Sequence, residues 1–448
     1  MTAATLSLPQ VGREQPLPPG PRMPRALHTL AWIKRPLPFL EGARAKYGDT
    51  FTIHVGRETF VIVSDPIDVK QIFLGDPAIY HAGKANIILL PFLGDNSLLL
   101  LDGDQHMRQR RLLLPSFHGE KMRANVALMR EIAAREVASW PTGEPFAVHP
   151  RMQRLTLEVI VRVVFGVDED SPHVDELRRQ LANLVNTLTQ PWAMRKVLIH
   201  GPVQAHRRRV FGELLDPIDR IIARVIDERR RRGDAAERDD VLSTMLQARH
   251  EDGSPMSDQE LRDELVTLLV AGHETTATAL AWALERLTRH REALERLYDD
   301  SDERHEEFVD GVIRETLRLR PVIPLVGRML QQPQRIAGWD LPAGTRVAPS
   351  VYLVHRRPDV YPDPAAFKPE RWLGVRPNPY TFLPFGGGVR RCLGASFAET
   401  EMRAVLGAIV DTVRLRAERP EKDERVARRA ITLVPREGAR VIATRTAA

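Results

Sequence analysis

Cys392 is the only cysteine in 448 residues. A lone cysteine cannot form an internal disulfide, so it is an inert core thiol, a nucleophile or a metal ligand. It lies in Phe385-Gly-Gly-Gly-Val-Arg-Arg-Cys-Leu-Gly394. Glycine lets a backbone turn sharply and approach a flat ligand closely. Arg390 and Arg391 precede the sulfur, and the residues from Ala395 onward read as a helix. A cysteine beside two cations at a helix N-terminus favours thiolate over thiol. A thiolate presented from a glycine-lined loop is what an axial haem-iron ligand requires. The competing reading is a free thiol in a glycine-rich turn.

Three further groups of residues could do chemistry. Ala271-Gly-His-Glu-Thr-Thr276 places a glycine, a carboxylate and two hydroxyls inside an otherwise apolar stretch. A plain helix pays about 1 kcal/mol for glycine relative to alanine, and more for a buried Glu without a partner. A zinc site at His273-Glu274 would need a second His where Ala277 stands. His106 and Arg110 are four apart, share a helix face and can both donate to an anion; a charged surface face is the alternative. Glu315 and Arg318 form an i, i+3 pair, which at a surface contributes about 0.2–0.5 kcal/mol.

Phe385, Gly388, Arg390, Cys392 and Gly394 match, at every fixed position, the haem-binding signature of the cytochrome P-450 superfamily, and the resemblance extends over nearly the whole chain. It implies a mainly α fold: one domain over residues 1–448, a long central helix and small β-sheets at one side. It implies haem b on Cys392, with His106, Arg110 and Arg328 on the propionates. Thr275 would hydrogen-bond the dioxygen under reduction, Glu274 would link it to a proton source, and Gly272 would loosen the helix beside it. Glu315 and Arg318 would lock to Arg371, in Phe367-Lys-Pro-Glu-Arg-Trp372, and scaffold the cysteine loop. The substrate pocket would draw on Ile87, Leu90, Val270, Ala271, Val322, Val326 and Ile431, an apolar set suited to a lipophilic molecule.

The positioning elements follow from local rules. Ser257-Asp-Gln-Glu260 is a capping box and opens the longest helix, Asp258 to about Arg289. Arg35–Tyr47 reads as a helix ended by Gly48. Phe51–Val55 and Phe60–Ser64 read as a hairpin, and Asp65-Pro66 begins a helix to about Leu74. Ile87–Leu93 is an apolar loop or short helix. Gly119–Gly166 reads as two long helices, with Leu155–Phe165 buried. Ser171–Arg232 holds several helices, broken near Pro191 and Pro202, which in the family form a mobile lid. Pro321–Arg328 is extended; strands follow around Arg335–Ile336 and Arg346–Ser350. Ala430–Val434 and Arg440–Ala443 read as a closing hairpin. Residues 1–25 are Pro-rich, hence stiff and extended.

Composition narrows the partners. The net charge is +6, with 28% charged and 43% hydrophobic residues. The arginines are spread along helices among Asp and Glu, which fits solvated faces better than a nucleic-acid footprint. No apolar run approaches the roughly 18 residues of a spanning helix, and no signal-peptide pattern is present. A cytoplasmic monomer is expected. No phosphate loop or dinucleotide fingerprint occurs, so electrons must come from another protein: a ferredoxin or flavodoxin-type donor with its reductase, docking on Arg108, Arg111 and Arg391. The resulting expectation is a monooxygenase. The alternatives are a peroxide-driven peroxygenase, which would normally lack the Glu274–Thr275 pair, and a haem-thiolate sensor or carrier without turnover.

Overall fold

The computed structural model describes residues 17–117, 120–299, 301 and 303–445. The first sixteen residues of the Pro-rich segment and the start of the stretch from Gly119 lie outside them. The described part, Pro18–Pro21, runs against the first strand. Thr52 donates through its amide to the Pro19 carbonyl (3.1 Å) and through its hydroxyl to that of Pro18 (2.6 Å).

The architecture is mainly helical. Its axis is the helix Asp258–Arg289, buried along most of its length from Leu261 to Leu287. The capping box forms as the sequence requires: the Glu260 amide donates to Ser257 Oγ (3.2 Å), and the Ser257 amide to Glu260 Oε2 (2.8 Å). Val148–Val159 packs on this axis and continues as a π turn over Ile160–Val164. Glu120–Ala138 and Ala395–Thr412 pack on each other, and their buried faces join one apolar core with the second half of the axis. A second core gathers the first half of the axis with Val174–Leu188 and Gly212–Arg232.

The largest sheet has five strands in the order Thr50–Val55, Glu58–Val63, Arg346–Pro349, Arg328–Leu330 and Tyr80–His81. Phe60 stands opposite Arg346 in a parallel pair. Pro66–Leu74 follows the hairpin, capped by Asp65, whose Oδ1 accepts the Ile67 amide at 2.8 Å. Ile87–Leu93 is helical in two short pieces, a 3-10 turn over Lys84–Leu89 and an α turn over Leu90–Leu93.

The closing hairpin differs from the expectation. Val426–Arg429 pairs with Thr432–Pro435 around a two-residue turn, where Ala430 takes φ +52° and Ile431 is exposed. Arg440–Arg445 pairs instead with Val413–Ala417 and Pro145–Ala147. Gly438 (φ +81°) and Ala439 (φ +56°) redirect the chain between the two. Gln334–Ile336 likewise closes on Trp339–Leu341, a strand that local pattern did not reveal.

Candidate active site

The cysteine loop is moulded on the helix Pro66–Leu74. Gly386 and Gly388 adopt φ +67° and +66°, a region that L side chains rarely enter. A Cβ on Gly387 would stand 2.4 Å from the Phe73 ring, and one on Gly388 1.9 Å from the Phe73 carbonyl oxygen. The turn therefore requires Gly386 and Gly388, and Phe73 leaves no room for a Cβ on Gly387 or Gly388. The Cys392 amide donates to the Phe385 carbonyl (2.9 Å), closing the loop. Gly394 is the N-cap of Ala395–Thr412 and has no close protein neighbour where its Cβ would stand.

Cys392 is exposed, yet dense protein surrounds it. Burial pushes the thiol up, against the Gly394 amide, Arg391 and Arg110, which pull it down. The expectation that two cations and a helix end would produce a thiolate on their own is thus corrected: desolvation outweighs them. Coordination to a metal would supply the missing stabilisation, because a coordinating thiol is deprotonated outright. Exposure together with crowding identifies the lining of a recess. On the central helix Ala271 is also exposed and Val270, Gly272 and Thr275 are half-buried, while their neighbours His273, Glu274 and Thr276 are buried.

Cations collect around the cysteine. Arg390 donates to Asp102 Oδ1 (2.5 Å), to the Leu98 carbonyl (3.1 Å) and to the Leu101 carbonyl. Arg328 is buried, and its guanidinium lies 5.8 Å from the Phe73 ring centre. Its one hydrogen bond among the described residues goes to the Gly327 carbonyl. Burial, then Arg390, push it down to about 10. Arg110 makes no hydrogen bond or ion pair among the described residues; burial lowers it and Cys392 pulls it the other way. His106 is driven down to about 3 by burial and then by Arg390, Arg110 and Arg328. It is therefore a neutral group that can still donate an N–H, as the sequence reading of a donor pair requires. Buried guanidiniums are costly unless paired. One buried (Arg328) and one half-buried (Arg110) guanidinium lacking an anion among the described residues, next to a reachable sulfur, fit a flat iron ligand with two carboxylates at its edge.

The scaffold behind the loop is a closed network. Arg318 donates to both Glu315 oxygens (2.8 Å each) and to the carbonyls of His355, Pro364 and Ala366. Arg371 Nε reaches Glu315 Oε1 at 3.1 Å. Trp372, which the sequence did not single out, donates to Oε2 at 3.0 Å. His355 stacks on Phe382 and accepts the Leu383 amide (2.9 Å), two residues before the cysteine loop.

The apolar segment before Asn96 is tied down by groups that the sequence did not flag. Asp263 accepts the backbone and side-chain nitrogens of Asn96 (3.0 Å each), and Glu264 accepts the Leu98 amide (2.9 Å). Gly94 is needed there, because a Cβ would stand 2.2 Å from Asp263 Oδ1. Of the expected lining residues, Ile87 is half-buried and Leu90 buried. Val322 belongs to the helical core, its carbonyl accepting the Leu433 amide at 2.9 Å. Val326 packs against the sheet cluster, and Ile431 stands at the hairpin tip. The central helix runs unbroken through Gly272. Thr275 Oγ1 donates to the Ala271 carbonyl at 2.5 Å, and Glu274 turns away from the recess, toward Gln153 and His149.

Known proteins resemble this chain over nearly its whole length. The family model described as Cytochrome P-450 matches residues 17–442. "Putative cytochrome P-450 135B1" of Mycobacterium tuberculosis and Mycobacterium bovis is 42% identical over 436 residues, covering 95% of this chain and 91% of the relative. "Putative cytochrome P-450 138" of Mycobacterium tuberculosis is 36% identical over 440 residues, covering 96% of each. Retinoic acid-bound cyanobacterial CYP120A1 superposes with a TM-score of 0.80 at 23% identity, over 97% of this chain and 100% of that one, a likeness of fold. No helix among the described residues is long and apolar enough to cross a membrane. The chain belongs to the cytochrome P-450 family, and is thus a haem protein and an oxygenase.

Proposed function

We propose that this protein inserts one atom of dioxygen into a lipophilic small molecule, with Cys392 as the iron ligand and a separate ferredoxin-type protein and its reductase as the electron source. The observation that carries the reading is the pair of anion-free guanidiniums, Arg110 and Arg328, gathered with His106 and Arg390 about a reachable Cys392. Bound haem supplies the oxidation: substrate, dioxygen, two electrons and two protons give hydroxylated (or epoxidised) product and water.

The chain's residues supply the rest. Cys392 would hold the iron; Arg110 and Arg328, which lack a carboxylate partner among the described residues, would neutralise the propionates, Arg390 being paired with Asp102, and neutral His106 would donate one N–H. Thr275 offers a hydroxyl at the recess, at present engaged by the Ala271 carbonyl. Glu274, one residue back, is an acid whose proton affinity is raised by burial against the pull of Arg429 and Gln153, the direction that suits a carboxyl passing protons on. Ile87, Leu90, Val270 and Ala271 exclude water and favour an apolar substrate. Arg108 and Arg391 are exposed without an ion pair among the described residues, whereas Arg111 pairs with Glu251. An acidic donor would therefore dock mainly on Arg108 and Arg391, and its reduction rate should fall with added salt.

The test is the absorption spectrum of the dithionite-reduced protein with carbon monoxide, for wild type and Cys392→Ser. A strongly red-shifted Soret band that needs Cys392 supports the reading. A band typical of histidine ligation in wild type removes it.

A further inference from the structure

Glu274 is enclosed by three elements, and all the polar groups that face it can be named. Its own helix contributes His273, whose Nε2 is 2.9 Å from the Gln153 carbonyl, and Thr278, whose hydroxyl is 3.2 Å from His149 Nε2. The helix Val148–Val159 contributes Gln153, which donates to Oε2 at 2.7 Å, and His149, whose Nε2 lies 3.6 Å from Oε1. The hairpin Val426–Pro435 contributes Arg429, with Nη1 3.6 Å from Oε1. Oε1 has no hydrogen-bond partner.

Only one of these neighbours carries charge near neutral pH. His149 is pushed down to about 4 by burial and then by Arg429 and His273. His273 is pushed to about 4 by burial, with Gln153 opposing and Arg429 assisting. Arg429 is the remaining cation. Its other terminal nitrogen donates to Thr189 Oγ1 at 3.2 Å, just past the helix Val174–Leu188, so the guanidinium is held at both ends. Neighbouring Arg428 points to the opposite side, over the Trp32 ring at 5.5 Å, as alternation along a strand requires. The strand thus sends one arginine to the Trp32 ring and the next to the buried acid.

We propose that Arg429 is a positioning residue for Glu274: it charge-pairs with the carboxylate, favours its ionised form and holds it toward the hairpin, away from Thr275. This rests on the reading of Glu274 as the proton-handling acid. An acid in so dry a place would stay protonated without a cation beside it. Arg429 opposes that effect and draws the carboxyl back toward its ionised form, and the hydrogen bond to Thr189 anchors the guanidinium.

The experiment is an infrared pH titration of the holoprotein, with the protonated-carboxyl stretch of Glu274 isolated by difference against Glu274→Gln. Arg429→Gln is expected to move the midpoint upward, so that the protonated-to-ionised ratio at a given pH rises about tenfold. Arg429→Lys, which keeps the charge, is expected to restore most of it. An unmoved midpoint in Arg429→Gln overturns the proposal, and so does a midpoint that Lys fails to restore, since packing rather than charge would then be responsible. A second arm separates the two readings: peroxide released per electron pair, with a plant-type ferredoxin and its reductase as donor. If Glu274→Gln leaves that leakage unchanged, the proton-delivery role of Glu274 fails, while the infrared result still decides the role of Arg429.

Discussion

Phe73 and Gly388 are in backbone contact so close that no side chain can stand between them: a Cβ on Gly388 would lie 1.9 Å from the Phe73 carbonyl oxygen. The helix Pro66–Leu74 thereby fixes the height of the cysteine loop. Gly388→Ala adds the cost of φ +66°, about 1–3 kcal/mol for strain alone, to a collision with backbone that cannot rotate away. The expected outcome is a loss of at least that stability in urea unfolding and a sharply reduced haem content after expression. Full haem incorporation in Gly388→Ala would show that the contact with Phe73 is dispensable.

Asp102 ties the same loop from the other side. Its Oδ1 accepts Arg390 and the Gly83 amide (2.8 Å), and its Oδ2 the Lys84 amide (3.0 Å). Asp102→Ala leaves Arg390 without its carboxylate and releases the start of the apolar segment. Haem should then transfer to apomyoglobin about tenfold faster, equivalent to about 1.4 kcal/mol of lost retention. An unchanged transfer rate would mean that Arg390 is positioned by the carbonyls of Leu98 and Leu101 alone.

What was legible in the sequence was local or fixed in order. The capping box at Ser257 and the Asp65-Pro66 helix start depend on residues within one turn, so they could be read directly. The order Glu315, Arg318, Arg371, Cys392 carried the site through its resemblance to a family. What was not legible depends on distance in the chain or on burial. Phe60 meets Arg346, Asp102 meets Arg390 and Asp263 meets Asn96 across hundreds of residues or nearly so, with no local pattern to announce them. The protonation of Cys392 went against the local rule, because neighbouring charges can be counted in a sequence and desolvation cannot. The misassigned hairpin had a similar cause: Thr432–Pro435 and Arg440–Arg445 both have strand character, but the turn at Ala430–Ile431 and the break at Gly438 decide their partners.

Glu315 gives a pH prediction. Burial raises its carboxyl, but Arg318, the Lys368 amide and Arg371 together bring it below its ordinary 4.5. A folded value below the unfolded one means stability that is present above about 4.5 and is lost as the pH falls through the folded value. Glu315→Gln removes the charge that Arg318 and Arg371 need and should cost about 3–5 kcal/mol at neutral pH. Its unfolding free energy should also decline less steeply than that of wild type between pH 5 and the acid range (roughly one proton's difference in slope). Parallel acid profiles for the two proteins would exclude Glu315 as a source of acid lability.

Glu401 gives the opposite sign. It lies on Ala395–Thr412, nine residues beyond the cysteine, fully enclosed and with Oε1 unpartnered. Burial alone pushes its carboxyl up to about 8, from an ordinary 4.5. A raised folded value means that folding favours the protonated form. Its stability is fully present below about 4.5 and is lost progressively as the pH rises through about 8. Glu401→Gln keeps the shape without the titration, so any cost of placing the amide there is the same at every pH. The difference in thermal midpoint between Glu401→Gln and wild type should therefore shift in favour of the variant from pH 5 to pH 8, by an amount corresponding to several kcal/mol if the whole shift is realised. A difference that does not change with pH would mean that Glu401 has a partner in solution that keeps it ionised.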